Sequence, residues 1–185
     1  MSYLVGVSFR KEHGKDTVAD HLVQAWGFKK LAWAGLLKQG INLWHGWDDR
    51  HGYGELKEVI DPYWGYSPRT AYEDIGTKLM RDRWMSDFWI KAACRQIDTL
   101  LAEGTDVVLC DTRFVNEAEA IKSRGGAVWH VHRPSKPPAD PEKDPPSEIG
   151  LLGYESFDEV IVNDKTLPDL YQATNRAYGR MRGWE

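Results

Sequence analysis

Five short apolar runs, each followed by a segment patterned as a helix, constrain this chain more than any other feature. Tyr3–Ser8, Phe28–Trp33, Asp106–Cys110, Ala127–His132 and Glu159–Val162 read as strands, rich in β-branched and apolar residues and bounded by turn formers. After the first run, Val18, Ala19, Leu22, Val23 and Trp26 recur at helical spacing, and Gly27 supplies a stop. Leu36–Trp44 continues as a helix. Ser67-Pro68 pairs a hydroxyl N-cap with proline at the first helical position. Asp87–Ala102 reads as a long helix closed by Gly104, and Asn116 three residues before Glu119 has capping-box spacing for a helix that stops at Gly125-Gly126. Pro168 opens a last helix. Strands alternating with helices over 185 residues predict a single α/β domain with a mainly parallel central sheet. Ligands of such sheets sit at the carboxyl ends of the strands, here after Ser8, Cys110 and Val131.

Two stretches stand apart from the alternation. Trp44–Tyr66 is aromatic and irregular. The run RPSKPPADPEKDPPSE, about residues 133–148, holds 6 of the 9 prolines and reads as a mobile loop or lid without regular structure.

Composition removes several classes. No apolar run approaches the ~20 residues of a membrane-spanning helix, and the N-terminus lacks the basic start and cleavage site of a signal peptide. Cys94 and Cys110 form neither a disulfide framework nor a zinc pattern, which points to a reducing cytoplasm. The net charge of −4 argues against binding to polymeric nucleic acid, which needs a basic excess. Of the 9 tryptophans, Trp26, Trp89 and Trp129 fall on regular elements and are expected in the core. Trp44, Trp47 and Trp64 crowd the irregular stretch, where rings could wall a base pocket or a subunit contact.

The segment from Ser8 to Thr17 joins the first strand to the first helix. A loop so placed turns backbone N–H groups and the positive end of the helix dipole toward one point, a setting for an anion. Lys15 would reach outer phosphates, with Asp16 and Thr17 offering oxygens to Mg²⁺ or phosphate. The general pattern G-x-x-x-x-G-K-[ST] is departed from twice, by Phe9 at the first glycine and Asp16 after the lysine. An ordinary strand–loop–helix connection with a solvated lysine is the alternative.

Asp111-Thr112-Arg113 ends the third run. A carboxylate there suits the neighbourhood of a metal–phosphate complex, and Arg113 has the fork that binds phosphate oxygens in pairs. The competing reading pairs Asp111, Arg113 and Glu117 as a salt-bridged helix start. Arg69 at a helix N-terminus, the Gly76-Thr77 pair, and Lys78, Arg81, Arg83 and Lys91 suggest a local positive site, although Arg81 and Arg83 fit a solvated face better. Arg133 ends the fourth strand beside the proline-rich run, placed to meet a nucleotide if a lid closes. His130 and His132 lack partners at metal spacing, and His21, His45 and His51 carry no signal.

Taken in order, LVGVSFRKEHGKDTVADHL, FKKLAWAGLLK, SPRTAYEDIGTKL, DFWIKA, VVLCDTRFVNEAEAIKSRGGAVWHVHRP, SEIGL and VIVNDKTLPDL resemble the deoxynucleoside monophosphate kinases of bacteriophages. The resemblance implies a three-layer α/β/α P-loop NTPase fold of the nucleoside monophosphate kinase kind, with an acceptor-binding helical region at about 35–90. It implies transfer of the ATP γ-phosphoryl group to a deoxynucleoside monophosphate with Mg²⁺, in the host cytoplasm, and a homodimer. It places Lys15, Asp16 and Thr17 on ATP, with Asp16 and Thr17 toward the metal; Gly14 and Arg133 join the ATP set from their own positions in the loop and at the strand end. It places Lys38, Arg69, Gly76, Thr77, Trp89, Asp111, Arg113 and Glu117 on the acceptor, and makes Lys15, Asp111 and Arg113 the catalytic set. The family also accounts for Asp16 but not for Phe9, whose ring replaces the usual glycine of a tight turn. Two rivals stand beside this reading. One is a P-loop kinase for a hydroxyl acceptor such as dephospho-coenzyme A, with Asp111 as base. The other is a nucleotide-binding protein without activity.

Overall fold

A computed structural model describes residues 2–8 and 10–184; Phe9 lies outside the described residues. The chain divides into two compact units, Met1–Ala32 with Ile97–Glu185, and Trp33–Gln96.

The first unit is built on a sheet. Strands β1 (Leu4–Ser8), β2 (Lys29–Leu31), β3 (Val107–Thr112), β4 (Ala127–His132) and β5 (Glu159–Val162) lie in the order β2-β3-β1-β4-β5, every pairing parallel. The β1 residues are buried throughout, as a central strand covered on both faces requires. On one face, Val5, Val7, Val108, Trp129, Val131 and Ile161 pack with Val18 and Leu22 of α1 (Lys15–Trp26) and Leu170 and Tyr178 of α8 (Leu167–Met181). On the other lies α6 (Val115–Lys122). A Cβ at Gly6 would stand 2.2 Å from Ile121 Cδ1, so this glycine lets α6 approach β1. From β1 the chain leaves toward β2, and from β4 it leaves the other way toward β5. That divergence opens a crevice at the carboxyl ends of the strands.

The second unit holds α2 (Gly35–His45), the short α3 (Asp49–Gly52) and α4 (Pro68–Ala71), and a π-helical segment, Tyr72–Trp84. The α5 helix (Phe88–Ala102) starts in this unit and ends in the other. Ser67 caps α4 as its sequence predicts, its side chain accepting from the Thr70 N–H. Nothing in the sequence explains the wider i→i+5 winding that follows.

Leu37, Ile41, Trp47, Ala71 and Tyr72 form the core of this unit. The irregular aromatic stretch proves to be organised around His45, which sequence reasoning passed over. Its ring is bonded to the Ile41 carbonyl and the Tyr66 hydroxyl, each at 2.8 Å, and stacks on Trp47 at 4.3 Å between centroids. Trp47 is buried, donating to Asp61 at 2.6 Å; Trp64 donates to the His45 carbonyl; Trp44 is exposed. Of the three clustered tryptophans, Trp47 is thus a packing residue of its unit, while Trp64 and Trp44 are exposed. Among the tryptophans expected in the core, Trp129 is fully buried, while Trp26 and Trp89 are partly buried against the two cores.

Two local expectations are corrected. The cap of α6 is not Asn116 with Glu119. Glu117 reaches back instead, accepting from the Arg113 and Phe114 N–H groups at 2.7 and 3.1 Å. Both spacings satisfy the capping rule, and the buried carboxylate beside the end of β3 is the one used. The proline-rich run is not devoid of regular structure, since α7 (Pro146–Ile149) forms in it, with Pro146 in the first turn, where no N–H is needed.

Candidate active site

The loop after β1 is held by the segments that follow β4 and β5. Buried His13 accepts the Arg133 N–H at Nδ1 (3.0 Å), and its carbonyl accepts from Asn163 Nδ2 (2.9 Å) after β5. The backbone takes left-handed φ at Glu12 (65°) and Gly14 (104°). A Cβ at Gly14 would stand 2.6 Å from Asn163 Nδ2, so glycine is required there by conformation and by space. No side chain caps α1, which leaves its first-turn N–H groups open to an anion. Lys15, at the first position of α1, is buried, with its ammonium 2.6 Å from the exposed carboxylate of Asp16.

Asp111 and Arg113 end β3 next to this loop, since β1 and β3 are paired neighbours. The Arg113 guanidinium does not pair with Asp111 or Glu117, as the salt-bridged alternative required. It bonds to the Glu148 carboxylate and to the Ser147 carbonyl (3.1 Å). Glu148 also accepts the Lys11 N–H (2.8 Å), while Arg10 binds Asp144 and the Pro137 carbonyl (2.9 Å). Lys136 pairs with Glu12. The proline-rich run is therefore laid along residues 10–12 of the loop. Exposed Arg133 sits at the same place, 3.5 Å from the Glu12 carbonyl. Arg10, His13, Asp144 and Glu148 were all missed in the sequence. Arg10 and His13 lie in the family-like LVGVSFRKEHGKDTVADHL segment and Glu148 in SEIGL, which was the only signal for them.

Burial governs the ionisation of this region. The Glu117 carboxyl is pushed up to about 8, by burial first and by the charge of Asp111, against the lowering effect of the two N–H bonds it accepts. His13 and His130 are pushed down to about 4, by burial first and then by neighbouring His132. These shifts act on stability in opposite directions. Folded His13 and His130 stay neutral from about 4 to 6.5 while the unfolded rings are charged, so stability rises with pH there. Folded Glu117 keeps a proton between 4.5 and about 8 that the unfolded chain loses, so its contribution declines as pH rises. Stability should peak near pH 6.5 and fall toward pH 8. In Glu117→Gln the alkaline fall should shrink by about 5 °C in Tm, read from melting curves across that range.

The other site residues of the sequence lie in the second unit. Lys38 places its ammonium 3.7 Å from the centre of the Tyr53 ring. Arg69 is half-exposed between Glu58 and Glu73, both at 2.9 Å. The expected positive cluster around it is not one: Lys78, Arg81 and Lys91 are exposed and pair with Asp74, Asp82 and Asp87. Trp89 donates to the Gly76 carbonyl at 2.9 Å. A Cβ at Gly76 would lie 2.4 Å from Leu37 Cδ2, so packing against Leu37 favours glycine there. Gly76→Ala should cost about 1–3 kcal/mol in urea unfolding, as overpacking does.

The donors near the phosphate loop fit a hard divalent cation. Asp16, Thr17 and Asp111 offer oxygens, and no group of three or more acidic, histidine or cysteine side chains forms a self-sufficient metal centre among the described residues.

A five-stranded parallel sheet in this order, with a glycine–lysine loop and a helix after β1, is the fold of the P-loop kinases. A solved dephospho-CoA kinase from Campylobacter jejuni shares it, with a TM-score of 0.58 at 14% identity over 97% of each chain. The family described as deoxynucleotide monophosphate kinase matches residues 48–174, and the chain belongs to that family. A protein of Acanthamoeba polyphaga mimivirus assigned as a deoxynucleotide monophosphate kinase is 32% identical over 91% of this chain and 92% of its own length. The deoxynucleotide monophosphate kinase of Escherichia phage RB69 is 28% identical over 71% of this chain, which spans 56% of that protein. No helix among the described residues is long and apolar enough to cross a membrane.

Proposed function

We infer that the chain transfers the γ-phosphoryl group of ATP to the 5′-phosphate of a deoxynucleoside monophosphate, giving a deoxynucleoside diphosphate and ADP. The observation that carries this is the buried Lys15 at the uncapped start of α1, with Asp111 and Arg113 at the end of the neighbouring strand.

The acceptor supplies its own nucleophile. A phosphate oxygen attacks the γ-phosphorus, and the bond to the β–γ bridging oxygen breaks, leaving its electron pair on ADP. No base is needed, so the protein contributes position and charge. Lys15 and the open N–H groups of α1 hold the ATP phosphates, with Gly14 admitting the close approach and Arg133 adding a cation. Asp16 and Thr17 would hold Mg²⁺, which offsets phosphate charge when bound. Arg113 clamps the acceptor phosphate through its planar fork. Glu117 supports Arg113 through the backbone N–H that it accepts. In the second unit, Lys38, Arg69, Gly76, Thr77 and Trp89 are assigned to the deoxynucleoside monophosphate by likeness to the family.

Product analysis tests the reading. With ATP and Mg²⁺, ADP release should depend on an added deoxynucleoside monophosphate and match the diphosphate formed, one for one. ADP release that ignores the acceptor would contradict it.

A further inference from the structure

We infer that Glu148 is a positioning residue for phosphoryl transfer, one carboxylate that sets the phosphate loop and the acceptor arginine in fixed relation; the inference rests on the function just proposed. Its side chain is 13% exposed and joins three segments far apart in sequence. One oxygen takes the Arg113 guanidinium at the end of β3. The other takes the Lys11 N–H of the phosphate loop at 2.8 Å and lies 3.9 Å from Arg10 Nε, a buried nitrogen with no hydrogen bond of its own. The adjacent Ser147 carbonyl gives Arg113 a second contact at 3.1 Å.

A guanidinium on a long side chain has many rotamers, and only a few present two N–H groups to one phosphate. Glu148 occupies one part of the Arg113 fork and thereby fixes the direction of the rest. Because the same carboxylate binds the loop backbone, a shift of the loop moves the arginine with it. Donor and acceptor phosphates must meet in line, so this coupling acts on the geometry of transfer more than on the binding of either nucleotide. Asp144 offers a natural contrast. It ties the same proline-rich run to Arg10 but contacts neither Arg113 nor Lys11 in the bonds described.

Steady-state kinetics on the full chain, varying ATP and then the deoxynucleoside monophosphate, decide the matter. Glu148→Gln should lower kcat by about 10²-fold with each KM changed less than about threefold, since misplacement of reacting groups falls on turnover. Glu148→Asp, with the charge kept on a shorter arm, should give an intermediate kcat and the same KM values. Asp144→Asn should stay near wild type. Adding Glu148→Gln to Arg113→Lys should slow that variant little, because both changes disturb one clamp.

A Glu148→Gln enzyme with wild-type kcat overturns the inference, whatever its melting temperature. So does a lowered KM, which would make the carboxylate a stand-in for phosphate, and so do fully additive losses with Arg113→Lys. Should Glu148→Gln fail to fold, Glu148→Asp decides alone, and wild-type kcat in it overturns the inference. Wild-type enzyme inert toward every deoxynucleoside monophosphate would refute the proposed function instead.

Discussion

Lys15→Ala is expected to reduce kcat for phosphorylation of a deoxynucleoside monophosphate by ~10²-fold or more, the scale on which removing one preorganised donor acts. Lys15 is buried at the start of α1, with its ammonium 2.6 Å from the exposed Asp16 carboxylate. A buried lysine stem costs side-chain entropy, and its charge is poorly hydrated. On the proposed function, phosphate oxygens of bound ATP would offset both costs. The effect should fall on kcat and on ATP affinity, with the KM of the acceptor little changed. Single-turnover measurements separate the two. Near-normal turnover in Lys15→Ala would remove the ammonium from the mechanism.

Arg113→Lys is expected to be nearly as damaging, at about 10–10²-fold in kcat/KM for the acceptor, although the charge is retained. A lysine cannot bond at once to Glu148, to the Ser147 carbonyl and to a phosphate with a planar fork. The lysine change is a cleaner test than alanine, because alanine would remove the nearest cation from the buried Glu148 carboxylate and add a folding penalty. Titration of the acceptor at saturating ATP reads the result. A rise confined to the KM of ATP would place Arg113 on the wrong substrate.

What could be read in the sequence follows from the range of the interactions involved. The β1 strand, the loop to Lys15 and the α1 helix were legible because apolar burial, Gly14 and Gly27 act locally. Parallel pairing followed from the strand–helix alternation, but strand order did not, since adjacency of β1 to both β3 and β4 is a long-range choice. Contacts across large separations were invisible. Glu148 meets the Lys11 N–H from 137 residues away, and His13 meets the Arg133 N–H from 120. Where two local rules competed, as for Asn116 and Glu117 at the start of α6, spacing could not choose and burial did. The same holds for the tryptophans: Trp47 looked like a pocket wall from its neighbours, yet its ring and its bond to Asp61 build the core of the second unit.

The central claim is that the acceptor group is a phosphate oxygen, and its most direct measurement is an acceptor comparison. ADP release at fixed ATP and Mg²⁺ is followed with dAMP, dGMP, dCMP and dTMP, their ribose counterparts, the four deoxynucleosides that end in a 5′-hydroxyl, and dephospho-coenzyme A. At least one deoxynucleoside monophosphate should be turned over with a kcat/KM far above that of every hydroxyl acceptor. A deoxynucleoside or dephospho-coenzyme A turned over faster than any monophosphate would contradict the account.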